Sequence, residues 1–203
     1  NKTIMKIFKL LFIVIISSLF LQSCKCTGGP QLMPNVSGKA GEVVIVIPKY
    51  EWDGEIGSSL RTILAEYEPF LPQREPMFNL INIPEKAFTS IFQTHRNLII
   101  VQIIPDLTEP KVVFQENVWA APQIVATISA KNSQEAAQLI SDNADRLSGA
   151  FLMAERNRNI QNAKRYEEES LRAIVTEEFG GSPYFPKGYS LKKRTENFIW
   201  ISY

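Results

Sequence analysis

The chain has 203 residues, with 22 lysines and arginines against 21 aspartates and glutamates, one histidine and two cysteines. That balance excludes the basic footprint of a nucleic-acid binder, and two cysteines exclude a fold built on disulfides. One histidine excludes the zinc patterns that need several nitrogen or sulfur ligands, and no metal or other cofactor is predicted.

The first stretch reads as a targeting segment rather than as structure. Lys2, Lys6 and Lys9 precede an uncharged apolar run, Leu10 to Leu21, which ends in Leu21-Gln22-Ser23-Cys24. A positive start, an apolar middle and small residues at the cut are what a secretory signal needs. The run is too short for a permanent span, which takes about 20 apolar residues. Its Leu-x-Ser-Cys ending resembles the lipobox of bacterial lipoproteins, so residues 1–23 are predicted to be removed and Cys24 to be acylated. Each buried methylene contributes about 0.8 kcal/mol and one chain holds only marginally, so two or three acyl chains on Cys24 would tether the domain stably to the membrane. Lys25 is not the aspartate that retains enteric lipoproteins in the inner membrane, and Thr27-Gly28-Gly29 lacks an acidic surface-export run. The resemblance therefore implies an outer-membrane protein, lipid-anchored and facing the periplasm.

Loss of the signal removes three lysines and no acid, leaving 19 basic against 21 acidic residues. The remaining chain has a length that suits one domain with a respectable core. Cys26 would be left single, as a bystander beside the membrane or the site of a second lipid or an intermolecular bridge. Asn1 to Ile4 read as preceding the initiator at Met5. The pattern Ile199-Trp200-Ile201-Ser202-Tyr203 stops inside a strand, and the chain is expected to continue beyond it.

Residues 24–42, rich in glycine and proline, are predicted to form a lipid-anchored linker, and residues 43–203 a single α+β domain. Val43 to Ile47 is a continuous apolar run, hence a strand buried on both faces. Asp53 is the expected cap of a helix running to about Tyr67, with Ile56, Leu60, Ile63, Leu64 and Tyr67 on one face. Pro69, Pro72 and Pro76 break the chain before a strand over Met77 to Ile83. Pro84 then opens a short helix carrying Ala87, Phe88, Ile91 and Phe92, and Leu98 to Ile104 is a third strand. Two strands in succession follow, Lys111 to Gln115 and Gln123 to Ala130. The β-α alternation fails there, which favours α+β, a mixed sheet covered by helices, over α/β.

Asn132 and Glu135 form a capping box that opens the longest helical stretch, with Ala136, Leu139, Ile140, Ala144, Leu147, Phe151 and Ala154 on one face. The stretch from Glu155 to Glu178 is far more charged and is predicted to project into solvent or meet a partner; Arg156-Asn157-Arg158-Asn159 leaves open whether one helix or two are present. Gly180-Gly181 ends it. Tyr189 to Lys193 and Phe198 to Tyr203 read as a hairpin turning at Glu196-Asn197. The lipobox, Gly-Glu-Val-Val-Ile-Val-Ile from Gly41, the long charged helix, Pro-Lys-Gly-Tyr-Ser-Leu and Phe-Ile-Trp together resemble a Bacteroidetes lipoprotein family classed only as a domain of unknown function. That resemblance implies a location and a fold, and no activity or site residue.

The residues offer little catalytic chemistry. His95, at the end of the short helix, reads as a cap or surface group favoured by the helix dipole, and no Gly-x-Ser-x-Gly elbow accompanies it. Gly54-Glu55-Ile56-Gly57-Ser58-Ser59 follows a strand and opens a helix, as a phosphate cradle would, but Glu51, Asp53 and Glu55 repel an anion. Asp142 with Asp145 and Glu167-Glu168-Glu169 read as solvated faces. Aromatic side chains beside loops are the candidate partner or ligand contacts: Tyr50, Trp52, Tyr166, Tyr184 and Phe185. The sequence thus favours a non-catalytic, lipid-anchored binding or scaffold module with an envelope protein partner; the alternative is a periplasmic hydrolase acting on glycan or another envelope substrate.

Overall fold

The computed structural model describes residues 32–67 and 70–203, so Cys24, Cys26, the predicted signal and Pro69 lie outside the described residues. The compact unit runs from Met33 to Tyr203. Its centre is a five-stranded sheet in the order β2-β1-β3-β5-β4. The strands are β1 (Glu42–Val46), β2 (Asn79–Ile83), β3 (Asn97–Ile103), β4 (Lys111–Glu116) and β5 (Ile124–Ala130). Strands β2, β1, β3 and β5 are parallel, and β4 returns antiparallel along the outer side of β5. That mixed sheet with its helices is the α+β class.

The apolar run of β1 is explained by the sheet having two covered faces. Val43, Ile45 and Ile47 point to a large core shared with Ile56, Leu60, Ile140, Leu147 and Phe151. Val44 and Val46 point to a smaller core with Leu98, Val125, Phe88, Phe92 and Trp119. The large core is closed by α2 (Glu55–Leu64), α4 (Ser133–Asp142) and α5 (Ala144–Arg165). The small one lies under a 3-10 turn (Glu85–Ala87), α3 (Ser90–Gln93) and the loop around Trp119, whose ring meets Phe88 edge-on at 5.3 Å.

Several boundaries differ from the sequence reading. Asp53 does not cap the first long helix: it ends a one-turn helix, α1 (Lys49–Asp53), and Gly54 stands at the start of α2. The lysine at one end of α1 pairs with the aspartate at the other, which favours a local turn over a cap. The short helix after Pro84 is split in two, and Ile91 is left exposed rather than on the packed face. Asn132 does cap α4, accepting from the Glu135 amide at 2.9 Å, while the Glu135 carboxylate takes the Lys131 amide at 2.7 Å. The long stretch that follows is broken at Asn143, not at residues 156–159. Helix α5 runs unbroken through those charges to Arg165, and α6 (Glu169–Phe179) follows after a short gap. Gly180, at φ 72°, ends α6 in the left-handed conformation. The hairpin forms as expected from β6 (Ser190–Thr195) and β7 (Phe198–Ser202), joined to α6 by Arg194, whose guanidinium donates to Glu178.

Residues 34–38, within the stretch read as linker, are held against the domain. The Ser37 amide donates to the Thr94 carbonyl and its own carbonyl accepts from Arg96, while the Ala121 amide donates to Pro34.

Helix α2 approaches α1 so closely that a Cβ at Gly57 would lie 1.8 Å from the Trp52 carbonyl oxygen. Gly57→Ala should therefore lower stability by about 2 kcal/mol in urea unfolding. The clash with backbone exceeds the roughly 1 kcal/mol that alanine gains in a helix.

Candidate functional site: an ion network and a cavity beside the long helix

Strands β1, β3 and β5 all begin at the same edge of the sheet, so their first residues, Glu42, Asn97 and the Gln123 that precedes β5, come together. Helix α5 crosses this edge. Its first half is held by Leu147 and Phe151, and the same helical spacing carries the buried face on to Glu155 and Arg158. The apolar stripe is thus continued by an ion pair, and this is the feature that the sequence reading missed. Arg158 is only 6% exposed, although its neighbours Arg156, Asn157 and Asn159 suggested a solvated turn.

The Glu155 carboxylate is the hub. Oε1 accepts from the Asn97 side-chain amide at 2.9 Å and the Gly41 backbone amide at 3.3 Å, and lies 3.0 Å from an Arg158 nitrogen. Oε2 accepts from Arg96 at 3.0 Å. Arg158 also donates to the Asn97 side-chain oxygen at 2.6 Å and to the Pro122 carbonyl at 3.0 Å. Asn97 donates to the Glu42 carbonyl at 2.9 Å, and buried Gln123 ties β5 back to the carbonyls of Gln93 and His95 at 2.6 and 2.7 Å. The Nε atoms of Arg96 and Arg158 are buried without a hydrogen-bond partner among the described residues.

Burial raises the Glu155 pKa, but bonds from Asn97 and Arg158 and the charges of Arg158 and Arg96 outweigh it, so the carboxyl titrates below its ordinary value. Burial lowers the pKa of Arg158, against the pull of Glu155. His95 is buried, which corrects its reading as a surface or cap group. Its Nδ1 faces the Asn97 carbonyl at 3.3 Å and its Nε2 lies 3.5 Å from the Glu42 carboxylate. Burial nevertheless holds the ring below its ordinary pKa, so the ring is neutral at pH 7. Gly38, at φ 86°, gives the ring its space, since a Cβ there would stand 2.2 Å from Nε2.

Beside this network lies a cavity of about 590 Å³ whose lining includes Asn35, Arg96, Pro122, Arg158, Gln161, Lys164 and Arg165. On the other flank of α5, a groove of about 540 Å³ is lined by Leu152, Ile160, Ala163 and Tyr184, among others.

The sequence-predicted contact residues fall in two groups. Tyr184 is half-buried in the groove, with Lys164 and Arg172 over its ring at 5.5 and 5.4 Å. Phe185 and Tyr166 are brought beside it because the chain at 185–187 bonds back to 166–168: the Phe185 carbonyl accepts from Glu168 and the Tyr166 carbonyl from Lys187. Tyr50 and Trp52 sit apart on α1, beyond the carboxyl end of β1. Tyr50 is exposed, and Trp52 is half-buried under Arg61, 4.7 Å from its ring. The carboxylates weighed for hydrolysis do not converge: Asp142 accepts from Gln138, and Glu167 pairs with Arg172.

The architecture and site define an α+β domain whose helical layer is locked to the sheet edge by buried charge, with a cavity and a groove on either side of the locking helix. Residues 36–164 match the domain of unknown function DUF8532, and the chain belongs to that family. No curated protein and no solved structure matches it.

Removing Arg158 would leave Glu155 and Asn97 buried and short of donors. Arg158→Ala should destabilise by about 3 kcal/mol in urea unfolding. Acid should weaken the same region in two steps. For both His95 and Glu155 the folded pKa lies below the unfolded one, so the unfolded chain binds more protons and stability is lost as pH falls. Thermal midpoints should fall first as pH drops below the ordinary histidine value of 6.5, then again below the ordinary carboxyl value of 4.5. His95→Gln should abolish only the first step.

Proposed function

We propose that this protein is a non-catalytic binding module of the bacterial envelope, tethered to the outer membrane through lipid on Cys24 and facing the periplasm, and that it engages a protein partner through the second half of α5. The observation that carries this reading is the groove on α5. Leu152, Met153 and Ile160 are 42%, 51% and 38% exposed, and Leu152 and Ile160 border Tyr184 across the groove. An apolar strip flanked by an aromatic side chain is the usual core of a protein contact. The strip is presented rigidly, because the helix is fixed by Arg158 on its far side and by Glu155 at the border of the groove, so little ordering cost falls on binding. The polar residues around it, Arg156 and Asn159 among them, supply a rim.

The lipid tether rests on the Leu-Gln-Ser-Cys sequence and on the resemblance to the Bacteroidetes lipoproteins. Its mechanical role is to hold the groove within reach of other envelope proteins, raising their effective concentration.

A photo-crosslinking residue at Ile160 of the full chain, expressed in a lipoprotein-competent host, should give one discrete adduct in the membrane fraction. The same residue at Tyr50 should give none, and Cys24→Ala should release the adduct from the membrane. Equal labelling at both positions would overturn the groove assignment, and membrane retention of the Cys24→Ala chain would overturn the tether.

A further inference from the structure

The cavity on the other flank of α5 is a different chemical object from the groove. Arg96, Arg158, Lys164 and Arg165 contribute to its lining, together with amides such as Asn35 and Gln161, and no acidic residue does among the described residues. Glu155, in contact with Arg96 and Arg158, offsets one of those four charges. Three remain in excess. Lys164 is partly engaged, with its ammonium 5.5 Å from the Tyr184 ring, whereas Arg165 has no such contact among the described residues. Arg158 is 94% buried by its own exposure figure of 6%, and its Nε, like that of Arg96, has no partner among the described residues. Four cationic side chains gathered in one lining, with a single carboxylate in contact to balance them among the described residues, point to an anion as the missing counter-charge.

We propose that this cavity binds a phosphate group carried on a polar, hydroxyl-bearing body. Guanidinium groups match the oxygen geometry of phosphate better than ammonium groups do. A surplus of three charges suits a phosphate better than a singly charged carboxylate. The amides of Asn35, Gln161 and Asn162 can both donate to and accept from hydroxyls. A volume of about 590 Å³ exceeds what inorganic phosphate fills and falls in the range of small-molecule sites. Nucleic acid is a poor fit, because the cations are gathered in one cavity on a chain of near-zero net charge instead of along a stripe. The phosphate can belong to a soluble sugar phosphate or to a lipid headgroup. The assignment does not depend on the partner groove, which lies on the opposite flank.

The test uses the full chain carrying Cys24→Ala, so that its own lipid does not confound membrane binding. Calorimetric titration with glucose 1-phosphate, inorganic phosphate and glucose is set beside co-sedimentation with phosphatidylcholine vesicles containing or lacking phosphatidylglycerol. Saturable binding of glucose 1-phosphate but not of glucose supports a soluble ligand. Sedimentation only with phosphatidylglycerol vesicles, reversed by inorganic phosphate, supports a headgroup. In either case Arg165→Glu and Gln161→Glu, which place a carboxylate in the lining without touching the network, should each weaken binding about tenfold with the thermal midpoint unchanged. Absence of saturable binding to every phosphate probe would overturn the proposal, and so would binding that both variants leave intact.

Discussion

The structure depends on one carboxylate. Glu155 receives or faces the side chain of Asn97 at the start of β3, the backbone of Gly41 beside β1, Arg96, and Arg158 on its own helix. No apolar side chain could do this, because the edge of a parallel sheet presents backbone groups that must be satisfied as well as covered. The first half of α5 closes the core by excluding water; the second half closes the sheet edge by supplying donors and acceptors. A buried ion pair of this kind adds little net stability over an apolar replacement, but removal of one member leaves the other stranded. Its contribution is therefore to fix the crossing of α5 over the strands, and with it the position of everything α5 carries.

The site also sits at an uncommon edge. Open sheets with parallel strands usually bind ligands outside the carboxyl ends, where the strand order reverses. Here the carboxyl end of β1 leads into α1, whose Tyr50 and Trp52 are two of the five aromatics the sequence singled out. The charged network and the cavity lie at the amino ends, where Arg96, Pro122 and the segment around Asn35 meet α5. The pinned run from Pro34 to Gly38 matters for this reason, since it forms one wall of the cavity and packs against His95. The family match beginning at residue 36 includes most of that wall.

Much of the fold was legible because it follows from burial. The apolar run at Val43 and the capping box at Asn132 each reflect a local requirement that the residues meet by themselves. What was illegible depended on the tertiary setting of polar residues. Arg158 stands in the phase of Leu147, Phe151 and Ala154, and that spacing was the available signal; its charge and its polar neighbours argued the other way. His95 was misread for the same reason, since nothing local shows that Glu42, Asn97 and Gly38 will surround it. Asn97 looked like a strand boundary and proved to bridge two strands and a helix. Polar residues that bond across long sequence separations carry no period of their own, so pattern reading sees their polarity and assigns them to solvent.

The two flanks of α5 acquire their different characters from this arrangement. Facing the sheet edge, the helix must carry charge to satisfy the strand ends, and the arginines brought there exceed the one carboxylate that balances them. The surplus opens toward the cavity, where Lys164 and Arg165 add to it. On the other flank Leu152 and Ile160 form an apolar strip with Tyr184, and Glu155 lies at its border. A single rigid helix thereby separates a cationic pocket from an apolar groove by no more than its own diameter, about 10 Å with side chains. An anion in the cavity would balance the surplus charge of the arginines that hold α5. The groove and the cavity are therefore positioned by one network, whose members are in direct contact.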